Sequence, residues 1–278
     1  MKNILFIVIL IVTGVVSAQE KPQFKVIGFY TAAHDQAHIS FVREANKWFV
    51  ERGKELHFIY DSTTDWRNLN VQFLSLYDVV LFLDTRPEET EQRKQFEEYM
   101  NGGGAWMGFH FAAFALTPSS YNQDWDWYHN KFLGSGQYKS NTWRPTSAVL
   151  RVEGKHPVTK NLPSTFTAAP NEWYSWENEL RKNPSIQILC SIDTASFPLG
   201  TGPKQHEIWH QGYYPVVWTN TDYRMIYVNM GHNDIDYEGG TNRTLSSSFS
   251  SPAQNKLVIQ SLFWLAEKRK PNKKSKPE

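Results

Sequence analysis

An almost wholly apolar run between two aspartates, Asp78-Val79-Val80-Leu81-Phe82-Leu83-Asp84, constrains the fold of this chain most. A strand with one wet face alternates apolar and polar residues, whereas a strand covered on both faces is apolar throughout. The run therefore predicts a strand inside a parallel sheet that has helices on both of its faces.

Strand-like and helix-like segments alternate around this run. Three further strands are predicted at residues 24–30, 55–60 and 105–110. Three helices are predicted at residues 37–52, 69–76 and 85–101. Gly53 is expected to end the first helix, and Gly102-Gly103-Gly104 the third. This alternation predicts an α/β fold with a parallel sheet.

The second half of the chain is less regular. Strands are predicted at residues 147–152, 186–192, 215–219 and 225–230, and a closing helix at residues 253–268. Residues 121–144 are rich in aromatic and amide side chains without a clear period, which predicts a long loop packed over the sheet edge. There is no internal repeat and no low-complexity linker, so a single domain is expected over residues 19–267.

The N-terminus has the pattern of an export signal. Lys2 precedes an apolar run from Ile4 to Val12, and small residues end in Ala18. The alternative is a membrane anchor, but the run is shorter than the ~20 apolar residues that span a bilayer. We expect residues 1–18 to be a signal peptide cleaved after Ala18, which would make the protein periplasmic or secreted and leave no membrane association.

Charge is unevenly distributed. Residues 268–278 form a basic, Pro-containing tail that is expected to be disordered. Residues 19–267 carry 22 basic and 27 acidic side chains, a mildly acidic balance that argues against nucleic acid as a partner. The single cysteine, Cys190, excludes an intrachain disulfide. Because it lies in a strand-like run, it is expected to be a buried, inert thiol.

Titratable side chains follow most of the predicted strands. In open α/β sheets, ligands bind beyond the carboxyl ends of the strands. The residues at these ends are His34, Asp35 and His38 after the first strand, Asp61, Asp65 and Trp66 after the second, Asp84 after the third, His110 after the fourth, and His232 and Asp234 after the last. They predict a single crevice lined by histidines and acids.

The segment Gly102-Gly103-Gly104-Ala105-Trp106-Met107-Gly108-Phe109-His110-Phe111-Ala112-Ala113 is the most specific motif. Its glycines, hydrophobic strand and Gly-x-His-x-Ala ending resemble the central motif of the trehalose-utilisation (ThuA-like) family. The resemblance implies the fold of class I glutamine amidotransferases, an α/β, flavodoxin-like three-layer sandwich with a mainly parallel sheet.

Further blocks extend the resemblance over most of the chain, from Tyr30 to Trp264. They are His156-Pro157-Val158-Thr159-Lys160-Asn161-Leu162-Pro163, Asn171-Glu172-Trp173-Tyr174, Pro215-Val216-Val217-Trp218-Thr219 and Tyr227-Val228-Asn229-Met230-Gly231-His232. Each block is weak alone, but their order and spacing together are specific. Family membership implies carbohydrate utilisation, with disaccharides or their keto derivatives as substrates.

Two histidines are the first candidates for catalysis. His110 stands where amidotransferase-like enzymes carry their nucleophilic cysteine, and an imidazole cannot form the thioester that glutamine hydrolysis needs. His232 matches the strand end that carries the catalytic histidine of that fold. The pair is expected to act as acid and base or to ligate a divalent metal. The sequence does not decide between these roles, so a metal cofactor is one of two alternatives.

Glu172 is the third catalytic candidate. Surrounded by Trp173, Tyr174 and Trp176, its carboxyl group would be partly desolvated, which suits a general acid. Substrate binding is predicted for His34, Trp66, Asp84, Trp173, Tyr174 and Trp209.

These observations favour an enzyme over a non-catalytic carbohydrate-binding module, because a binder has less need of several titratable groups. Hydrolase, lyase and isomerase all remain open, as does the oligomeric state. The expected partner is a small carbohydrate.

Overall fold

The computed structural model describes residues 22–33, 35–115, 125–142, 144–195 and 212–267. The predicted signal peptide (1–18), the basic tail (268–278), His34 and Trp209 lie outside these residues. Among the described helices, none is both long and apolar enough to cross a membrane.

The described residues form eleven strands and four α-helices. The strands are β1 (Lys25–Phe29), β2 (Ile59–Thr63), β3 (Val79–Phe82), β4 (Ala105–Phe109), β5 (Tyr138–Asn141), β6 (Val149–Val152), β7 (Thr165–Thr167), β8 (Tyr174–Trp176), β9 (Ile186–Ile192), β10 (Pro215–Asn220) and β11 (Arg224–Val228). The helices are α1 (Gln36–Leu56), α2 (Val71–Leu74), α3 (Thr90–Asn101) and α4 (Pro252–Ala266).

Nine of these strands form one sheet in the order β2-β1-β3-β4-β11-β10-β9-β6-β7. The first five are parallel to one another, and the remaining four extend the sheet in antiparallel pairs. The predicted α/β fold with a parallel sheet is confirmed. Strands β5 and β8 form a separate antiparallel pair.

Strand β3 shows why its sequence is apolar throughout. Val79 and Leu81 face the core formed with α1 and α4, whereas Val80 and Phe82 face the aromatic core formed with α3. All four side chains are fully buried. The two cores lie on opposite faces of the sheet and make the three layers of the sandwich.

Helix α1 does not end at Gly53 as the sequence predicted. It continues to Leu56 and ends at His57, whose φ of 59° is left-handed and whose N–H bonds to the Gly53 carbonyl. Glycine is needed at position 53 because a Cβ there would lie 2.6 Å from the Phe58 carbonyl oxygen. The glycine therefore permits the close approach of the next strand, and β2 begins only at Ile59.

Two other predictions need correction. Helix α3 begins at Thr90 rather than residue 85. The described part of residues 121–144 is not a plain loop, because it contains the π-helical segment Trp127–Phe132 and strand β5. The aromatic rings of the π-helical segment pack into the core on the α3 side, and this burial orders a segment that has no regular apolar period.

Candidate functional site

His110 lies where β4 ends, in the parallel half of the sheet. Its φ is +38°, a left-handed conformation that is rare outside glycine, and it begins the 3-10 turn His110–Ala113. The hydroxyl of Tyr227 donates a hydrogen bond of 2.8 Å to its carbonyl oxygen. Such a conformation costs about 1–3 kcal/mol and is typical of functional sites.

His232 follows β11, the strand that pairs with β4. The chain turns at Gly231, whose φ is +141°, and a Cβ at that position would lie 3.1 Å from the Cβ of His110. The glycine thus lets the two histidine segments pack against each other. The centroids of the two imidazole rings are 5.2 Å apart, so His110 and His232 lie side by side, and their shared catalytic role stays a prediction.

A third histidine, His38, completes the group. It lies in the first turn of α1, which is capped by a hydrogen bond from the Ala37 N–H to Asp35 Oδ1. Its ring centroid is 5.3 Å from that of His110 and 5.0 Å from that of His232. One ring nitrogen from each residue lies within 4.8 Å of the others. These residues are called the three-histidine cluster below.

Glu172 lies beside this cluster. Its Oε2 atom is 3.4 Å from His110 Nε2 and 3.7 Å from His232 Nε2. Its Oε1 atom accepts a hydrogen bond of 2.6 Å from the side-chain amide of Asn141, at the end of β5. All three predicted catalytic residues therefore meet at the carboxyl edge of the sheet, and the β5–β8 pair holds the carboxylate there.

Two buried asparagines connect the Glu172 segment to the end of β11. The side-chain oxygen of Asn171 accepts a hydrogen bond of 2.9 Å from the Gly231 N–H. The side-chain oxygen of Asn229 accepts one of 3.2 Å from the Tyr174 N–H. The ring of Tyr174 packs on His110 at a centroid distance of 4.0 Å. These contacts fix the carboxylate relative to both histidines.

Burial determines the charge state of the two central imidazoles. It lowers the pKa of His110 well below its usual value, and neighbouring His38 lowers it further. Burial also lowers the pKa of His232 to about 3, against the opposing effect of Glu172. Both rings are therefore neutral at pH 7.

The pKa of Asp35 responds to the same group of residues. Burial would raise it, but His38, the Tyr237 hydroxyl and His232 together hold it below its usual value. Asp35 is therefore a carboxylate at neutral pH, and with Glu172 it places two acidic side chains next to the three-histidine cluster.

Several imidazole nitrogens of the cluster lack a hydrogen-bond partner among the described residues. They are His38 Nε2, both ring nitrogens of His110, and His232 Nδ1. Asn229 is close enough to His110 to oppose the lowering of its pKa, but the distances and angles leave neither His110 nitrogen with a hydrogen-bond partner among the described residues. Buried polar atoms are normally paired, so this group of orphan nitrogens is an unusual feature.

A small cavity opens beside His232. Its volume is about 50 Å³, and Arg144, Asp234 and Tyr237 line it with that histidine. The Nε atom of Arg144 is 3.1 Å from Asp234 Oδ1. This volume can hold water, because one water molecule needs a cavity of about 10–15 Å³ measured in the same way.

Two of the predicted substrate-binding residues have structural partners. The indole of Trp66 packs against the rings of Phe29 and Phe82. The buried carboxylate of Asp84 accepts hydrogen bonds from the backbone of Thr31 and Ala32. Sugar contacts by Trp66 and Asp84 remain predictions, whereas their packing and hydrogen bonds within the fold are observed.

The other aromatic predictions have different outcomes. Trp173 is fully buried and its Nε1 donates to the Thr146 carbonyl oxygen, which leaves no ring face for a sugar. Tyr174 is also buried, but it touches His110 directly. His34 and Trp209 lie outside the described residues, so their predicted roles remain predictions.

The sequence did not single out every residue that shapes the site. The position of His38 at the start of a predicted helix is typical of an exposed residue, yet it is only 8% exposed. Asn141 lies in a stretch without a period, so no sequence signal marks it. Asn171 is adjacent to Glu172 in a family block, and that adjacency was the available signal.

The chain is similar to one family and to solved structures across most of its length. The family model described as "Trehalose utilisation" (ThuA) matches residues 26–247. A structure from Bacteroides uniformis, described as thua-like, is 35% identical, with 91% of this chain and 95% of that chain covered and a TM-score of 0.77. A second thua-like structure, from Parabacteroides merdae, is 18% identical over 91% and 94% of the two chains, with a TM-score of 0.58. It shares the fold.

Among proteins of curated function, none matched this sequence. The family match covers the central strands, both histidines that follow β4 and β11, and Glu172. This chain belongs to the trehalose-utilisation (ThuA) family.

Proposed function

We propose that this protein is an exported enzyme that acts on disaccharides or their keto derivatives by acid–base chemistry. The observation that carries the proposal is the position of Glu172, whose Oε2 atom lies 3.4 and 3.7 Å from the Nε2 atoms of His110 and His232. A carboxylate held against two imidazoles beneath the protein surface is a costly arrangement for a merely structural role.

Proton transfer is assigned to Glu172. Because the pKa values of His110 and His232 are lowered by burial, neither ring is protonated at pH 7 and neither serves as a strong acid there. A neutral imidazole still polarises a substrate oxygen, as a hydrogen-bond donor, at no cost in buried charge. The two groups thus have separate tasks, with the carboxylate moving protons and the imidazoles stabilising charge on oxygen.

A keto-disaccharide suits this division of tasks. A ketone at carbon 3 of a sugar ring acidifies the hydrogen on carbon 2, and Glu172 accepts that proton. The electron pair of the broken C–H bond forms a double bond between carbons 1 and 2 as the glycosidic C–O bond breaks. The departing oxygen then takes the proton back from Glu172. The same proton abstraction begins an isomerase reaction or, with later addition of water, a hydrolysis.

Access to the site sets a condition on this proposal. Pockets for small molecules measure about 300–1,000 Å³, whereas the described cavity at His232 measures about 50 Å³. Sugar binding therefore requires the protein to open at this face, where Arg144 and Tyr237 lie at the surface end of the cavity. A change in shape on binding is common in enzymes that exclude water from their reactions.

A non-catalytic sugar-binding module fits the site less well. Sugar binding by stacking needs open aromatic faces, but Trp173 and Tyr174 are both buried. A binder also gains nothing from a carboxylate placed against two neutral imidazoles. The buried rings and the grouped titratable side chains both favour catalysis.

The test uses trehalose and 3-keto-trehalose as substrates for the tag-free protein without its signal peptide. In D₂O the wild type should exchange the carbon-2 hydrogen of the keto sugar and release products. Glu172→Gln should slow both processes by about 10²-fold or more, the usual contribution of a general base. The exposed Glu179→Gln is the matched control and should behave as the wild type.

The outcomes separate the two functions. If Glu172→Gln turns over the keto sugar as fast as the wild type, the assigned base is wrong. If the wild type binds either sugar by calorimetry but neither exchanges nor cleaves it, the protein is a binding module.

A further inference from the structure

The three-histidine cluster brings together side chains from three separate parts of the chain. His38 comes from the first turn of α1, His110 from the turn after β4, and His232 from the segment after β11. They are 8%, 0% and 2% exposed, and one nitrogen of each lies within 4.8 Å of the other two. No local sequence spacing creates this group, so the fold itself assembles it.

As a purely structural feature the cluster is unfavourable. The His38 Nε2 atom and both His110 nitrogens make no hydrogen bond within the described residues, and the rings do not hydrogen-bond to one another. An unpaired buried polar group costs about 1–3 kcal/mol. A shared partner that accepts electron pairs from all three rings removes that cost.

The surrounding charge is suited to a cation. Glu172 lies beside His110 and His232. Asp35, three residues before His38 in the chain, is held by hydrogen bonds from the Tyr237 hydroxyl, at 2.6 Å, and the Ala37 N–H, at 2.8 Å. Two acidic side chains beside three imidazole rings make surroundings that suit a divalent cation.

We propose that His38, His110 and His232 bind one divalent transition-metal ion of the Zn²⁺ class. Imidazole is a preferred ligand of such ions, and three protein ligands with one open position are typical of catalytic zinc sites. A cavity of about 50 Å³ lies against one of the three ligands, His232. Glu172 lies next to the ligands but is not itself counted as one, so its carboxylate remains available as a base.

The observed spacing requires only a small adjustment. Zn²⁺ holds imidazole nitrogens at about 2.0–2.1 Å, which places three such nitrogens about 3.4 Å apart. Starting from separations within 4.8 Å, each ring closes on the ion by a movement of less than about 1 Å. Rotation about the side-chain bonds supplies a movement of that size.

The role of the ion in turnover rests on the proposed function, whereas metal binding does not. With the ion bound, its Lewis acidity would replace the imidazole hydrogen bonds in polarising the keto oxygen, and Glu172 would keep its role as the base. The experiment therefore measures binding directly and treats turnover as a separate result.

The experiment begins with tag-free protein that has been stripped by a chelator and dialysed against Zn²⁺. Metal analysis should return about one zinc per chain, and zinc should raise the melting temperature, because a ligand that binds only the folded state stabilises it. Co²⁺ should give the visible absorption of a tetrahedral, nitrogen-ligated site.

The variants are His38→Gln, His110→Asn and His232→Gln. Asparagine is chosen at position 110 because it tolerates the positive φ of that residue better than alanine. Each variant should bind zinc more than about 10²-fold more weakly. Removing a residue that only hydrogen-bonds to a ligand costs about 10- to 100-fold, so a larger loss identifies a ligand. His156→Asn changes a histidine outside the cluster and should bind zinc as the wild type does.

Each outcome decides the proposal. It is overturned if the stripped wild type retains no zinc after dialysis, or if all three variants keep wild-type affinity. Should a variant fail to fold, the cobalt spectrum and the zinc-dependent rise in melting temperature of the wild type still decide. Zinc binding without turnover of any sugar supports the metal site and removes the proposed function. Turnover that persists in metal-free protein supports the function without the metal.

Discussion

The Oε2 atom of Glu172 lies 3.4 Å from Nε2 of His110. The histidine belongs to the turn after β4, whereas the carboxylate belongs to the segment that precedes β8 and is held on its other oxygen by Asn141. Their meeting depends on the β5–β8 pair lying over the carboxyl edge of the main sheet.

Gly231→Ala should disturb the site and the fold together. The φ of +141° is poorly suited to alanine, and the new Cβ would lie 3.1 Å from His110 Cβ and 3.2 Å from the ring of Phe41. We expect a loss of roughly 2–4 kcal/mol in the free energy of unfolding, from backbone strain and overpacking together. Urea denaturation measures the loss.

Gly240→Ala is the matched control for this change. Its φ of +66° is also left-handed, but a Cβ there meets nothing within 4 Å. It should cost only about 1 kcal/mol of backbone strain. Equal losses in the two variants would show that contact with His110 contributes nothing at position 231.

Tyr227→Phe should weaken the turn that carries His110. The buried hydroxyl donates a hydrogen bond of 2.8 Å to the His110 carbonyl oxygen. Removing the hydroxyl leaves that oxygen without this partner and should cost about 1–3 kcal/mol in the free energy of unfolding. Turnover should fall as well, because the imidazole loses its fixed position. Tyr60→Phe removes the hydrogen bond to Asn46 Oδ1, which holds no residue of the site. It should lower stability without lowering turnover.

Local sequence patterns predicted the sheet well because its central strands are simple. The apolar run of β3 and the Gly-rich start of β4 indicate their structure without knowledge of the rest of the chain. The parallel arrangement places His110 and His232 at the same edge of the sheet, and the family resemblance brings their two strands together. That is why the shared location of these two residues was predictable.

The rest of the site depends on packing that no local pattern encodes. His38 looks exposed at a helix start, and only the docking of α1 against the sheet buries it among the other imidazoles. The π-helical segment Trp127–Phe132 and strand β5 were missed for the same reason. Their aromatic residues are ordered by contacts with distant strands, and Asn141 reaches Glu172 only as a result of those contacts.

Stability should fall on mild acidification partly through His156. Burial lowers the pKa of this residue, and its Nδ1 atom accepts a hydrogen bond from the Val158 N–H. His156 takes up a proton at a higher pH in the unfolded chain than in the folded protein. The contribution of His156 to stability is therefore complete above about pH 6.5 and decreases below it.

His156→Asn isolates that effect. Asparagine is a good N-cap acceptor and does not titrate. The difference in melting temperature between wild type and variant should therefore change between pH 7 and pH 5, with the wild type losing more. A difference that stays constant across this range would show that His156 is not responsible.

Export remains a prediction from the sequence and is tested simply. The protein recovered from outside the cytoplasm should begin at Gln19, because Ala18 ends a pattern of small residues that a signal peptidase recognises. N-terminal sequencing of the fractionated protein decides it. A chain that starts at Met1 and stays with the membrane would indicate an uncleaved anchor instead.

Asp84→Asn distinguishes a structural role of this residue from sugar binding. The Oδ1 atom of Asp84 accepts a hydrogen bond of 2.8 Å from the Thr31 N–H, and its Oδ2 atom accepts one of 2.6 Å from the Ala32 N–H. An amide offers only one accepting oxygen, so one of these buried bonds is lost at a cost of about 1–3 kcal/mol. The melting temperature should fall by about 2–4 °C for each kcal/mol.

Asp78→Asn is the matched control at the other end of the same strand. Its carboxylate accepts a single backbone hydrogen bond, 2.8 Å from the Lys25 N–H, in an exposed position. An amide oxygen can replace that acceptor, so little stability should be lost. Because the segment held by Asp84 leads into α1 and His38, Asp84→Asn should also weaken zinc binding, whereas Asp78→Asn should not. If Asp84→Asn instead leaves the melting temperature and zinc affinity unchanged and raises only the KM for sugar, Asp84 contacts substrate and its loop contacts are incidental.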